Sequence, residues 1–295
     1  IQHYRRLFHY NPMITFSQLG KYGRLGNQFF QYAALKGLSV KNGYDIALMS
    51  DLKNTVWHGQ KCLLFNFNID HPTITDSSSY QRYDQPGLCS DFDKNFFDLK
   101  DNVDLFGFFQ NLNYFHFCED KIKESFRIDP EIRKKCDESL ERFDGPVVSI
   151  HLRRGDNVDL NQLNQEVIDS FITKALNYFN DEVNFLIFTG GSRSDGNDNS
   201  TDVEYLKNKY EGDKFFVSET NDTMMDLCLM TKCDHNIVSH DSTFSWWAAY
   251  LNEHDNRTVI CPKYHRSLEQ SDFDTQGNEL TYHKQDFYPD DWIVL

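Results

Sequence analysis

Basic residues are scarce in this chain of 295 residues: 30 Lys and Arg stand against 45 Asp and Glu, a net charge of -15. A nucleic-acid backbone needs a basic footprint, so DNA and RNA are excluded as default partners. No apolar run approaches the roughly 20 residues of a membrane-spanning helix, and no secretory apolar segment is visible. The seven cysteines (Cys62, Cys89, Cys118, Cys136, Cys228, Cys233, Cys261) are odd in number and scattered, which excludes a disulfide framework. Cys228, Cys233 and His235 lack the paired C-x-x-C spacing of a zinc site, and Cys228 lies in the apolar run 224–230, so they read as core. No internal repeat is evident. Sequons at Asn199, Asn221 and Asn256 are about as many as an Asn-rich chain carries by chance, and they leave the compartment open.

Apolar residues make up 39% of the chain, with 25 Phe and 15 Tyr, enough for a full core. Residues 13–19, 44–49, 103–109, 147–152, 185–189, 215–218, 236–239 and 258–261 read as strands. Helical spacing covers residues 29–42, 119–126, 130–143, 165–179, 223–231 and 246–251. This alternation predicts an α/β fold with parallel sheets covered by helices on both faces. Gly145-Pro146 marks a boundary between residues 1–145 and 146–295. Residues 51–102, rich in Asp, Asn, Ser and aromatics with few clear periods, read as irregular structure lining an acceptor groove.

Three stretches carry chemistry. The buried-strand pattern 147–152 runs into Arg153-Arg154-Gly155-Asp156, at the sheet edge where open α/β folds place ligands. Two arginines there suit a diphosphate; a structural salt bridge to Asp156 is the alternative. The loop Gly20-Lys21-Tyr22-Gly23-Arg24-Leu25-Gly26-Asn27-Gln28 fits neither a Walker A nor a G-x-G-x-x-G, yet it sets Arg24, Asn27 and Gln28 at a helix start, which favours an anion. Asp241-Ser242-Thr243-Phe244-Ser245 does the same at the end of a later strand, as a phosphate site or an ordinary cap. Two D-x-D pairs, Asp91/Asp93 and Asp272/Asp274, have the chemistry to chelate Mn²⁺ or Mg²⁺, but neither ends a clean apolar strand.

Taken in order, Gly23-Arg24-Leu25-Gly26-Asn27-Gln28-Phe29-Phe30-Gln31-Tyr32-Ala33, Gly107-Phe108-Phe109-Gln110, His151-Leu152-Arg153-Arg154-Gly155-Asp156 and residues 242–251 resemble glycosyltransferase family 11, the α-1,2-fucosyltransferases. The resemblance spans most of the chain. It implies the GT-B architecture, two Rossmann-like domains facing a central cleft, with residues 1–145 on the acceptor side and residues 146–295 binding GDP-fucose. It implies an inverting transfer of L-fucose from GDP-β-L-fucose, with O2 of a terminal β-galactose as acceptor and no essential metal or other cofactor. It gives Arg153 the β-phosphate, with His151 and Arg154 beside it, and sets Asn27 across the cleft. Ser242, Thr243, Phe244 and Ser245 then contact the diphosphate, joined by Arg24 and Gly26. Asp156 either orients an arginine or acts as base, the former preferred, and Asp226 contacts guanine or caps a turn. The chain departs from the family after residues 188–191, where many relatives carry a Ser-Asp type sequence, so contacts there are not carried over.

Two other readings are a metal-dependent GT-A transferase using Asp91/Asp93, and a non-catalytic glycan or sugar-nucleotide binder stacking sugars on Trp57 and Tyr114. The expected setting is a soluble catalytic domain, cytoplasmic or, where an anchor preceding Ile1 has been removed, lumenal in the Golgi.

Overall fold

The computed structural model describes residues 12–57, 60–180, 182–190, 199–267 and 284–295. In the N-terminal half the elements are β1 (Met13–Thr15), α1 (Leu25–Asn42), β2 (Asp45–Met49), β3 (Val56–Trp57), β4 (Gln60–Lys61), β5 (Thr73–Ile74), β6 (Gln81–Asp84), β7 (Val103–Phe106), α2 (Glu119–Ser125) and α3 (Pro130–Leu140). The C-terminal half carries β8 (Val147–Arg153), α4 (Asp156–Asp159), α5 (Gln165–Leu176), β9 (Asn184–Gly190), α6 (Ser200–Lys209) and β10 (Phe215–Val217). It continues with α7 (Thr223–Lys232), β11 (His235–Ile237), α8 (Thr243–Tyr250), β12 (Val259–Cys261), α9 (Lys284–Phe287) and β13 (Ile293–Val294).

Both main sheets are parallel. The C-terminal sheet runs β10-β9-β8-β11-β12-β13, the doubly wound order in which β8 and β11 flank the point where the winding reverses. The N-terminal sheet runs β5-β2-β1-β7-β6, with its own reversal between β1 and β7. Crevices for ligands open beyond the strand C-termini at such points, so topology alone selects the ends of β1, β7, β8 and β11.

The halves meet through an apolar layer. Trp246 and Trp247 of α8 are fully buried and pack on Phe29 and Phe30 of α1 at ring-centroid distances of 4.7–5.4 Å. Each such ring contributes roughly 1.5–3 kcal/mol through burial, so the two helix starts are held together by core packing. Trp246 Nε1 donates to the Phe287 carbonyl at 2.9 Å, which satisfies its polar edge.

Several boundaries move from their sequence positions, each for a local reason. β1 stops at Thr15, because Phe16 begins a turn in which the Leu19 N–H returns to its carbonyl. α1 starts at Leu25 instead of Phe29, so Gly26, Asn27 and Gln28 belong to its first turn. β7 ends at Phe106, where a backbone kink begins. Residues 51–102 do contain strands: β5 and β6 edge the sheet, and β3 pairs with β4 as an antiparallel hairpin. Short strands with mixed burial leave no clear alternation to read. α6 arises in a polar stretch that buries only Asp202 and Leu206 within it. Among the described residues no disulfide forms, and no helix is long and apolar enough to cross a membrane. Asp272/Asp274 lies outside the described residues.

Candidate active site

A cleft of about 320 Å³ opens where the two reversal points face each other. Its walls include Arg24, Gly26 and Asn27 from the start of α1, His151 and Arg153 from β8, Asp156 from α4, Asp226 from α7, and Thr243 and Phe244 from α8. Nine of the twelve residues assigned to donor binding or catalysis from sequence therefore come together, although the outermost, Arg24 and Phe244, are 220 positions apart along the chain. Three do not reach the cleft wall: Arg154, Ser242 and Ser245.

The arrangement is governed by one carboxylate. Asp156 accepts from Arg24 Nη1 and Nη2, at 3.3 and 3.1 Å, and from Arg153 Nη2, at 2.9 Å to one oxygen and 3.2 Å to the other. One negative charge from the C-terminal half is thus shared by a cation from each half. Burial works against its charge, but Arg153 and Arg24 outweigh that and hold the Asp156 carboxyl below the ordinary carboxylate range. Burial and the facing Arg153 charge pull the Arg24 guanidinium below its usual value. Two cations on one anion leave a net positive spot inside a strongly acidic protein. Arg153 Nε is buried without a hydrogen-bond partner, a further donor not used by the protein.

Two helix N-termini point into the same space. α1 has Arg24 at its N-cap, no side-chain cap and no acidic residue in its first turn, so its leading N–H groups and dipole remain open to an anion. α8 is capped instead: Ser242 Oγ accepts from the Ser245 N–H at 3.1 Å. The helices approach so closely at Gly26 that a Cβ there would lie 2.5 Å from Thr243 Oγ1 and 2.7 Å from the Phe244 nitrogen. Only glycine fits between them.

Ser242 and Ser245 serve this framework. Both are buried; Ser242 Oγ also bonds His151 Nδ1 at 3.0 Å, and Ser245 Oγ donates to the Ser242 carbonyl at 3.1 Å. Their hydroxyls are spent, leaving Thr243 and Phe244 to face the cleft. His151, nearly all buried and near Arg153, has its pKa pushed down to about 3, so it is a neutral hydrogen-bonding ring. Arg154 turns toward α5 and α6. Its Nε donates to Asp202 at 2.9 Å, its Nη1 to Gln165 at 3.2 Å, and its guanidinium lies 3.7 Å from the Tyr205 ring centroid. In this structure only Arg153 of the pair faces the cleft, because consecutive side chains at the end of an extended strand point to opposite sides.

Asp226 does line the cleft. Burial pushes its pKa up to about 7, against the hydrogen bonds of Thr220 and Ser218. Trp57, Gln60, Thr189, Gly190, Asn199, Asn221 and Thr223 line it as well. Thr189 and Gly190 end β9, a position that sheet-edge reasoning identifies; nothing in the sequence signals that the β3–β4 hairpin reaches over, where Gln60 Nε2 meets Thr223 Oγ1 at 3.3 Å. Asp91 and Asp93 do not line the cleft. Asp91 accepts from the Leu88 N–H at 2.7 Å and Asp93 from Tyr83 Oη at 2.6 Å, so both serve a local turn. Tyr114 is fully buried against Phe96 and Phe109 and offers no stacking surface. Among the described residues no group of three or more His, Cys, Asp or Glu side chains is placed to hold a metal ion.

Comparison with known proteins identifies the family and the fold. Residues 9–294 match the family described as glycosyl transferase family 11. An Escherichia coli alpha-1,2-colitosyltransferase is 28% identical over 81% of this chain and 89% of its own length. The galactoside alpha-(1,2)-fucosyltransferase 1 of Leontocebus fuscicollis is 27% identical over 78% of this chain and 63% of its own. Among solved structures, the fucosyltransferase NodZ from Bradyrhizobium superposes with a TM-score of 0.50 at 13% identity, over 81% of this chain and 92% of that one. POFUT1 in complex with GDP gives 0.50 at 13%, over 85% and 98%. At that identity the likeness shows the fold, the GT-B arrangement of two Rossmann-like units.

Proposed function

The chain belongs to glycosyltransferase family 11, and we propose that it moves L-fucose from GDP-β-L-fucose to O2 of a terminal β-galactose with inversion at the fucose anomeric carbon. In this reading residues 146–295 bind the donor and residues 1–145 receive the acceptor. The observation that carries it is the convergence of Arg153, Arg24 and the uncapped start of α1 on one cleft.

Breaking the anomeric C–O bond builds positive charge on the sugar and negative charge on the departing GDP. Arg153, whose guanidinium lines the cleft, stabilises that charge at the β-phosphate; the α1 terminus and Arg24 add to it. Asp156 holds the two arginines in register. A carboxylate kept ionised by two cations is a weak base, so its role is orientation; the acceptor hydroxyl attacks an oxocarbenium-like carbon and gives up its proton to the departing diphosphate. His151 and Thr243 supply neutral hydrogen bonds, Phe244 closes the wall beside His151, and Asp226 meets the nucleoside end. The two guanidinium groups provide the charge compensation, and transfer proceeds without an essential metal.

The test is transfer of radiolabelled fucose to a panel of β-galactosides, with and without EDTA, and with GDP-colitose as competing donor because a relative is named for that sugar. Chelator-resistant formation of an α-linked product at galactose O2 supports the reading. EDTA-sensitive transfer removes its metal independence, a preference for colitose changes its donor, and a different linkage changes its acceptor.

A further inference from the structure

The Asn27 side chain is held from several sides. Gln110 Nε2 donates to Asn27 Oδ1 at 2.7 Å, and Thr243 Oγ1 donates to the same oxygen at 3.3 Å. Gly23 packs against it so closely that a Cβ there would lie 2.6 Å from Asn27 Cβ and 2.9 Å from Nδ2. An oxygen that accepts from two donors fixes which way the amide faces. What Asn27 retains for the cleft it lines is its Nδ2–H group.

Gln110 reaches this oxygen through an unusual backbone. After β7 the chain kinks, and Phe109 takes φ 53°, a left-handed conformation that costs a non-glycine residue about 1 kcal/mol or more. Gln85 Oε1 holds the kink by accepting from the Phe108 and Phe109 N–H groups at 3.0 and 2.8 Å. The result places Gln110, only 5% exposed, at the reversal point of the N-terminal sheet, opposite the start of α1. Strain persists where surrounding bonds over-determine it, and here those bonds deliver one amide to another.

We infer that Gln110 is a positioning residue for transfer: it locks the Asn27 amide so that N–H, not C=O, meets the diphosphate–sugar junction of the donor. The inference rests on the fucosyltransferase reading above, and its test separates the two. Gln110→Met keeps the volume and removes the donor. It is expected to lower kcat about 10- to 100-fold, as misplacement of a reacting group does, while the acceptor KM and the melting temperature hold. Gln110→Glu replaces a donor with an acceptor, which turns the Asn27 nitrogen inward; its activity is expected to fall to that of Asn27→Asp. The double variant Asn27→Ala/Gln110→Met is expected to lose no more than Asn27→Ala alone. Calorimetric titration of the same variants with GDP-fucose should show the same coupling in affinity. Full kcat in folded Gln110→Met, or losses that multiply in the double variant, would overturn the inference. A wild type that binds GDP-fucose and transfers nothing overturns the transferase reading, and the affinity coupling then decides the role of Gln110. A wild type that does not bind overturns both.

Discussion

Arg153 and Arg154 are adjacent, similarly sheltered and each paired with an aspartate, yet the two pairs differ in kind. The partner of Arg154 is Asp202, 1% exposed in its side chain and sealed among α5, α6 and the Tyr205 ring. The partner of Arg153 is Asp156, 32% exposed and shared with Arg24 across the cleft. A buried ion pair cannot be given up to a ligand, because separating it strands a charge in low dielectric. An open, shared pair can be re-partitioned when an anion arrives. The difference lies in the partner's surroundings, so residue type alone cannot reveal which arginine serves the ligand.

Arg154→Ala tests the sealed side and has the largest expected effect. Removing one member of a buried pair costs about 3–5 kcal/mol, read as a lower urea midpoint, while turnover per folded molecule stays within a few-fold of wild type. Unchanged stability with abolished turnover would break the comparison. Arg153→Ala tests the open side. Turnover is expected to fall by about 10²–10³, roughly 2.7–4 kcal/mol of barrier, from the lost charge stabilisation. Its stability should change by less than about 1 kcal/mol, since the pair is partly solvated. Near-normal turnover of the folded variant would sink the assignment.

Much of this division was readable from the sequence and some was not. The long apolar run of β8 and the helical spacing of α5 identify themselves, because a buried parallel strand and a half-buried helix impose clear patterns. The meeting of Arg24 with Asp156, 132 positions apart, follows only from how two sheets are packed face to face. Gln110 appeared in a recognisable motif without a role, since its function comes from a backbone kink at Phe109 that no periodicity encodes. Ser242 and Ser245 show why a helix start is ambiguous in sequence: capping and anion binding use the same residues at the same place, and here both side chains are buried and bonded within the protein.

Gly26→Ala sharpens the comparison from the interface between halves. A methyl group 2.5 Å from Thr243 Oγ1 must push α1 and α8 apart, which costs about 1–3 kcal/mol as overpacking does. The open pair spans that same gap, whereas the sealed pair lies wholly within the C-terminal half. The variant should therefore lose donor affinity in a GDP titration while Arg154 and Asp202 keep their contribution. A crystal structure of the variant showing Arg24 still on Asp156 would count against this.

The smallest expected effect concerns acid. Burial pushes the Asp156 carboxyl up, and the charges of Arg153 and Arg24 push it down further, so its folded pKa lies below its ordinary value of 3.8. The folded state therefore holds this proton less tightly than the unfolded chain. The stability this gives is fully present above about pH 4 and is lost as pH falls through the lower, folded value. With a third of the side chain in water, the contribution is under about 1 kcal/mol. Denaturation curves of wild type and Asp156→Asn should accordingly differ by a constant amount above about pH 4 and converge below it. The same difference measured in the Arg153→Ala background should shrink, because Arg24 alone then holds the carboxylate. If removing Arg153 leaves the acid limb unchanged, Asp156 belongs to Arg24 in solution, and the sharing that distinguishes the open pair from the sealed one is lost.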